Sequence, residues 1–358
     1  MSNNYLKMIL NSRVYDVASK TPLDFAKNLS RRLANDIWLK REDLQPVFSF
    51  KLRGAYNKIA RLSEADCANG IIAASAGNHA QGVALAAQHR SIKALIVMPR
   101  TTPGIKVKAV QTLGGKTLLH GDTYDEAYTH ALQLAEQRSM LFIHPYDDPE
   151  VIAGQGTIAM ELLQQHRDGL DAVFVPIGGG GLIAGIAAYI KALRPEIRVI
   201  GVEPEDAPCM YEALKRKRRV VLDQVGIFAD GVAVRQAGKE PYRLARKYVD
   251  EVILVSTDEI CAATKDIFDD TRAMVEPAGA LAVAAIKKYV KQTAAQGQKL
   301  VAINSGANIN FDRLRHVAER AEIGERREAL LAVTIPERPG SFLKFCRTIG
   351  KRGITEFN

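Results

Sequence analysis

The chain has 358 residues, of which 47% are hydrophobic and 25% are charged, and its formal net charge is +9. This composition is typical of a globular protein that is long enough for two domains. No run comes near the roughly 20 apolar residues of a membrane span, and the apolar run at the N-terminus is too short for a signal peptide. We therefore expect a cytoplasmic protein with no membrane partner.

The cysteines and the charge exclude further classes. The four cysteines are scattered and show no ligand spacing, which argues against a disulfide framework or a zinc site. The positive charge favours anionic partners, a class that includes nucleic acid, phosphates and carboxylates. The densest basic run, at residues 215–219, has no interleaved aromatic residues and belongs to no nucleic-acid motif. We expect no nucleic-acid partner.

The first informative stretch in the chain is PVFSFKLRGA, at residues 46–55, which places Lys51 between Phe50 and Leu52. A lysine among apolar residues either extends its amine to solvent or has a lowered pKa and a chemical task. This stretch alone does not decide between the two.

From about residue 70 the sequence alternates apolar runs with amphipathic stretches, which is the pattern of βα units. Near-continuous apolar runs are typical of parallel strands that are covered on both faces. The predicted strands are GIIAAS (70–75), KALIVMP (93–99), GKTLLHG (115–121), DAVFVPIGGGG (171–181), IRVIGVEP (197–204) and KLVAINSG (299–306). Stretches between them, such as HAQGVALAAQ and LIAGIAAYIKAL, have apolar positions at helical period.

These strands fall into two groups, one before Pro145 and one after Asp171. The grouping predicts an α/β protein with two doubly wound, mostly parallel sheets and a cleft between them. Ligands of such folds bind at the carboxyl ends of the strands, so the loops that follow the strands are the candidate sites.

The end of the chain has a different pattern. A charged, helix-like stretch, AERAEIGERREA (318–329), precedes a predicted strand, LLAVTIP (330–336), and a predicted helix, GSFLKFCRTIG (340–350). This change predicts the start of another domain.

The glycine-rich loop Gly178-Gly179-Gly180-Gly181, followed by Leu182, connects a predicted strand to a predicted helix. Converging backbone N–H groups at a helix N-terminus suit a phosphate or another anion. A competing interpretation is a dinucleotide fingerprint, because Gly179, Gly181 and Ala184 satisfy G-x-G-x-x-A and Glu203 ends the next strand. The loop alone leaves a nicotinamide enzyme open.

Two other loops also follow predicted strands. Ser75-Ala76-Gly77-Asn78-His79 offers N–H groups, a hydroxyl and an amide for a carboxylate or oxyanion, although ordinary helix capping is the alternative. We expect His79 to pack or cap rather than to catalyse. In Ser305-Gly306-Ala307-Asn308 the hydroxyl either faces the cleft or belongs to a plain turn.

The stretches PVFSFKLRGA, SAGNHAQG, GGGGL and SGAN, in this order, resemble the fold-type II enzymes that use pyridoxal 5′-phosphate (PLP), specifically the serine and threonine dehydratases. LLHGDTYDEA, PYDDPEVIAGQGTIAMELL, FADGVAV and EPAGALA extend the resemblance over residues 10–320. The stretch ERREALLAVTIPERPGSFLKFC is similar to the beginning of the ACT-like regulatory domain of biosynthetic members. The resemblance implies a tryptophan synthase β-like fold.

The resemblance also implies roles for the residues of the motifs. Lys51, beside Phe50, would hold PLP as a Schiff base, Asn78 would reach its ring hydroxyl, and Ser305 would face the pyridine nitrogen. The phosphate would lie on the glycine loop, and the substrate carboxylate would lie on the loop from Ser75 to His79. Glu276 would line the surroundings of the ring. The full set is Phe50, Lys51, Ser75, Ala76, Gly77, Asn78, His79, Gly178, Gly179, Gly180, Gly181, Leu182, Glu276 and Ser305.

The implied activity is β-elimination and deamination of L-threonine to 2-oxobutanoate and ammonia, with L-serine as a secondary substrate. A serine racemase of the same fold is an alternative, but racemases of this fold carry a serine where this chain has Ala76. A nicotinamide-dependent oxidoreductase and a non-catalytic amino-acid sensor are alternatives from other classes.

The resemblance implies a homotetramer and a division into three parts. We expect residues 1–52 and 148–320 to form a large PLP-binding domain, 53–147 a small α/β domain, and 321–358 a linker with the start of an incomplete ACT-like domain. Isoleucine feedback is then expected to be absent or impaired. Asp230 resembles a cation ligand of some relatives, but a lone aspartate leaves metal binding unassigned.

Overall fold

The structure is a computed structural model, and it describes residues 4–325, 327–329 and 331–354. The strands are β1 (Leu23–Phe25), β2 (Asp36–Arg41), β3 (Ile71–Ala74), β4 (Ala94–Met98), β5 (Lys116–Leu119), β6 (Leu141–Phe142), β7 (Ala172–Pro176), β8 (Arg198–Pro204), β9 (Glu251–Val255) and β10 (Lys299–Asn304).

The α-helices follow in chain order. They are α1 (Tyr5–Leu10), α2 (Lys27–Leu33), α3 (Lys51–Ile59), α4 (Glu64–Cys67), α5 (Asn78–His89), α6 (Gly104–Thr112), α7 (Tyr124–Gln137), α8 (Pro149–Gln165), α9 (Gly181–Leu193), α10 (Cys209–Lys215), α11 (Lys239–Tyr248), α12 (Thr257–Thr271), α13 (Pro277–Thr293), α14 (Leu314–Gly324) and α15 (Ser341–Ile349). Among the described helices, none is long and apolar enough to cross a membrane.

The larger sheet has six strands in the order β1-β2-β10-β7-β8-β9, and only β1 is antiparallel to its neighbour. Val301 at its centre pairs with Trp38 of β2 and with Val173 of β7. The central strands are buried, with hydrophobic clusters on both faces. Helices on both faces explain why these strands appear in the sequence as continuous apolar runs.

The smaller sheet has four parallel strands in the order β5-β4-β3-β6. Side chains of β3 alternate between two cores: Ile71 and Ala73 pack with α3 and α5, whereas Ile72 and Ala74 pack with α7. The prediction of two mostly parallel, doubly wound sheets is confirmed.

Helix α3 packs on α5, beside the smaller sheet, and on α8, beside the larger one. Its first residue is Lys51, so the candidate lysine lies where the two halves of the molecule meet. The predicted division at residues 52/53 and 147/148 stays a prediction.

A buried ionic network anchors α3. Arg53 is fully buried and donates to the carboxylates of Glu42, at 2.7 and 2.8 Å, and of Glu161, at 2.6 and 3.1 Å. Lys40, also fully buried, lies 2.5 Å from Glu161. The two cations and two carboxylates balance, which meets the requirement that buried charges be paired.

The C-terminal stretch differs in part from its prediction. Helix α15 confirms the predicted helix, but residues 331–336 form no strand, and Leu330 lies outside the described residues. A strand requires a partner for its backbone N–H and C=O groups, and the described chain brings none to this segment. Leu331 and Val333 are consequently exposed.

Candidate active site

Lys51 lies at the start of α3 among apolar and backbone groups. Its Nζ is 5.4 Å from the centre of the Phe50 ring and donates to the carbonyl of Pro145 at 3.1 Å. Burial lowers the pKa of Lys51 to about 8, although Glu276 opposes the shift. In the described part of the chain no carboxylate forms a salt bridge with this amine. Of the two interpretations of the apolar lysine, the structure favours the one with a chemical task.

The glycine loop turns sharply from β7 into α9 and packs closely on its surroundings. Gly180 has a φ of +93°, a left-handed conformation that favours glycine. A Cβ on Gly179 would lie 2.3 Å from the ring of Tyr146. The loop therefore needs glycine for packing as well as for the approach of a ligand.

The same loop exposes backbone donors to an anion. Gly179, Gly180, Gly181 and Leu182 are buried, yet within residues 4–325 their N–H groups donate to no protein acceptor. Buried N–H groups are almost always paired, and these four surround the N-terminus of α9, which carries a partial positive charge. The arrangement fits a phosphate.

Lys51 and the glycine loop face one cavity. Its lining also contains Ser305, whose hydroxyl donates to the carbonyl of Ala278 at 3.2 Å. The cavity is lined by Phe50, Lys51, Tyr146, Pro176, Gly178, Gly179, Gly180, Gly181, Leu182, Val232 and Ser305. All the residues that the resemblance assigns to the lysine, phosphate and pyridine-nitrogen positions therefore converge on one space.

Glu203, on which the dinucleotide interpretation depends, does not face this cavity. It is fully buried, and its carboxylate accepts hydrogen bonds from the backbone N–H groups of Met210 and Tyr211, both at 2.8 Å. Burial raises the pKa of Glu203 to about 8. The residue holds the start of α10 and is not available to a ribose, so the structure disfavours the nicotinamide alternative.

The second loop places free donors at the N-terminus of α5. The N–H of Gly77 donates to Ser75 Oγ at 3.2 Å, while those of Ala76, Asn78 and His79 have no protein acceptor in the described chain. Apart from the residues adjacent to Gly77 in the chain, no described atom lies within 4 Å of its Cβ position, so this side of the loop is open. These donors can hold a carboxylate.

The side chain of His79 is packed inside the protein. Its ring is buried, and Nε2 lies 2.9 Å from the carbonyl of Ile143. Burial lowers its pKa to about 3, with a smaller contribution from Lys51, so the ring is neutral. The side chain therefore contributes no charge to the loop.

Asn78 is not among the residues that line the cavity, and it belongs to a group of three polar residues joined by hydrogen bonds. Its Nδ2 donates to Glu276 Oε1 at 2.7 Å, and its Oδ1 accepts from Asn308 Nδ2 at 2.6 Å. The backbone N–H of Asn308 donates to the other oxygen of Glu276 at 3.1 Å. Burial, reinforced by Asp230, raises the pKa of Glu276 to about 7.

Asp230 pairs with Lys106 of α6 at 2.6 Å. No group of three or more His, Cys, Asp or Glu side chains that could hold a metal occurs in the described chain.

The sequence singled out neither Tyr146 nor Asn308 as a site residue. Asn308 belongs to the SGAN motif and could have been proposed, whereas the contact of Tyr146 with the glycine loop depends on the packing of the two halves.

In this α/β fold with two sheets, a lysine of lowered pKa faces backbone N–H groups at the N-terminus of a helix. This arrangement defines an enzyme that binds a phosphate-bearing cofactor and uses the amine of a lysine. Residues 14–306 match the family described as pyridoxal-phosphate dependent enzyme, and residues 319–358 match the C-terminal regulatory domain of threonine dehydratase. The chain belongs to the pyridoxal-phosphate dependent enzymes, and among them to the biosynthetic threonine dehydratases.

Individual relatives agree with this assignment. The chain is 58% identical over 360 residues to L-threonine dehydratase biosynthetic IlvA of Burkholderia multivorans, a match that covers 100% of this chain and 71% of the relative. The processed form of threonine deaminase isoform 2 from Solanum lycopersicum has a TM-score of 0.88 and 49% identity, and the match covers 89% of this chain and 88% of that one. Maize serine racemase has a TM-score of 0.82 and 31% identity, with coverages of 90% and 99%.

Replacing Gly179 with alanine is expected to weaken PLP binding at least tenfold. The new methyl group would meet the ring of Tyr146 at 2.3 Å, and the loop must shift to relieve the contact. Fluorescence titration of the apoprotein with PLP measures the effect, and Gly104→Ala, in open space at the start of α6, is the matched control. Equal affinities for the Gly179→Ala variant and the wild type would contradict the assigned role of the loop.

Proposed function

We propose that the chain catalyses the PLP-dependent deamination of L-threonine to 2-oxobutanoate and ammonia, with L-serine as a secondary substrate. The observation that carries the proposal is the single cavity in which Lys51 faces the glycine loop and Ser305. The residues fit PLP because the buried N–H groups of the glycine loop, which have no protein acceptor within the described chain, can bind its phosphate. The reaction is redox-neutral and needs no other cofactor.

PLP, when bound, supplies an electron sink that stabilises negative charge at the substrate α-carbon. The protein supplies the proton transfer, because the lowered pKa of Lys51 leaves part of its amine neutral near pH 7. Only the neutral amine can form a bond to a carbonyl carbon or take the α-proton. The N–H groups of Ala76, Asn78 and His79 would hold the substrate carboxylate.

Two residues favour elimination over racemisation. Ala76 has no group that can deliver a proton to the face of the substrate opposite Lys51, so inversion at the α-carbon lacks its second acid. Ser305 has a hydroxyl and no carboxylate, so the side chain that would face the pyridine nitrogen carries no charge to hold a proton there. A neutral residue at this position would weaken the electron sink, which favours elimination over racemisation.

The preference for threonine over serine is expected to be modest. One methyl group in an apolar pocket changes binding by only about 1–3 kcal/mol.

We also propose a cytoplasmic location, which the free thiols of the four described cysteines support. The three-part domain division and the homotetramer are proposed as well, because the resemblance implies them.

The test is to incubate the purified protein with L-threonine and to measure 2-oxobutanoate and ammonia together. The proposal requires the two products in equal amounts and dependence on PLP. L-serine, run in parallel, should give pyruvate and little D-serine. Accumulation of D-serine as the main product would support the racemase alternative, and formation of NADH from added NAD would support the nicotinamide one.

A further inference from the structure

The orientation of the Asn78 amide is fixed by hydrogen bonds that start at a backbone carbonyl. The carbonyl of Val47, four residues before Lys51, accepts a hydrogen bond from Asn308 Nδ2 at 2.9 Å. A backbone carbonyl can only accept, so it determines which end of the Asn308 amide carries the hydrogens. The second hydrogen of the same Nδ2 goes to Asn78 Oδ1 at 2.6 Å.

The oxygen of Asn78 therefore faces Asn308, and its nitrogen faces the other way. One Nδ2 hydrogen goes to Glu276 Oε1 at 2.7 Å. The other finds no protein acceptor in the described residues, although Asn78 is partly buried at the N-terminus of α5. An amide nitrogen carries two hydrogens, so one donor stays available for a ligand.

We propose that Asn308 is a positioning residue, which fixes the Asn78 amide so that it presents an N–H donor to the ring oxygen of PLP. This inference rests on the proposed function. The proposed effect of Asn308 on the cofactor passes through Asn78 and requires no contact between Asn308 and PLP.

Glu276 provides this orientation alone only when it is ionised. Its pKa, raised to about 7 mainly by burial, makes it a mixture of carboxylate and carboxylic acid near neutral pH. A carboxylate can only accept and would hold Asn78 Nδ2, whereas a carboxylic acid can also donate to an amide oxygen. The charged groups near Glu276 are Asp230, which raises its pKa further, Lys106, which lowers it, and Lys51, and none of them chooses the orientation of an amide.

The experiment measures the dissociation constant of PLP at pH 6 in single and double variants. Asn308→Ala removes the donor to Asn78, and Asn308→Asp keeps the shape but replaces the donor with an acceptor. Each is expected to weaken PLP binding about tenfold, the effect of one hydrogen bond. Asn310→Ala is the matched control, because the Asn310 side chain makes no capping hydrogen bond. Thermal unfolding identifies any variant that fails to fold.

A double-variant cycle separates positioning from a general structural role. In an Asn78→Ala background, Asn308→Ala is expected to weaken PLP binding less than twofold further, because the residue through which it acts is absent. An equal tenfold loss in both backgrounds, or no loss from either single Asn308 variant, overturns the inference.

The pH dependence gives a second readout. The ratio of the dissociation constants of Asn308→Ala and wild type is expected to be largest at pH 6, where protonated Glu276 can donate to the Asn78 oxygen. It should fall toward one at pH 8, where ionised Glu276 holds the nitrogen. A ratio that is equal at both pH values and in both backgrounds overturns the inference. Failure of the wild type to bind PLP would instead overturn the proposed function.

Discussion

Replacement of Lys51 by alanine is expected to lower kcat/KM for L-threonine by about 10³-fold or more and to remove the visible absorption of bound PLP. In the proposed function the amine is both the attachment point of the cofactor and the base for the α-proton, and loss of a positioned base alone costs about 10²–10⁴-fold. No other lysine lines the cavity in the described chain. Steady-state kinetics and an absorption spectrum measure the two effects.

Lys116→Ala is the matched control, because Lys116 lies exposed on β5. It should leave both kinetics and absorption unchanged. Methylamine added to Lys51→Ala should restore part of the turnover if the missing group is the base. Turnover of Lys51→Ala within tenfold of the wild type would show that another residue performs the chemistry.

Replacement of Arg53 by methionine is expected to lower the free energy of unfolding by about 3–5 kcal/mol. Arg53 is fully buried, and its removal leaves the buried carboxylate of Glu42 without its guanidinium partner. Glu161 still forms its ion pair with Lys40, at 2.5 Å. The loss of stability therefore comes mainly from the unpaired carboxylate of Glu42. A loss of this size is a large part of the roughly 5–15 kcal/mol that stabilises a typical protein. Urea unfolding followed by circular dichroism measures it.

Two controls test the electrostatic cause. Glu42→Gln in the Arg53→Met background should recover part of the stability, because the uncompensated charge is gone. Arg100→Met breaks an ion pair whose side chains are 64% and 65% exposed, and it should cost no more than about 1 kcal/mol. Arg53→Met with the same stability as Arg100→Met would refute the role of the buried network.

The sequence predicted the two sheets because parallel strands that are buried on both faces leave continuous apolar runs. It also predicted Lys51 and the glycine loop, because both carry local signals: an amine among apolar residues, and four glycines between a strand and a helix. The lowered pKa of Lys51 follows from burial, which the sequence suggested but could not measure.

Other features depend on contacts between distant segments. Spacing alone could not tell whether Glu203 faces a ligand or holds a helix, and the structure shows the second. Residues 331–336 have the composition of a strand, but none of the residues that the structure describes pairs with them. The orientation of Asn78 depends on Asn308 and Val47, which approach it from other parts of the chain.

The most direct test of the central claim is the visible absorption spectrum of the purified protein before and after addition of L-threonine, with 2-oxobutanoate measured in the same cuvette. We expect a yellow protein whose absorption changes on addition and which then releases the keto acid. A protein that stays colourless and inert after incubation with PLP would contradict the assignment of Lys51 and the glycine loop to PLP.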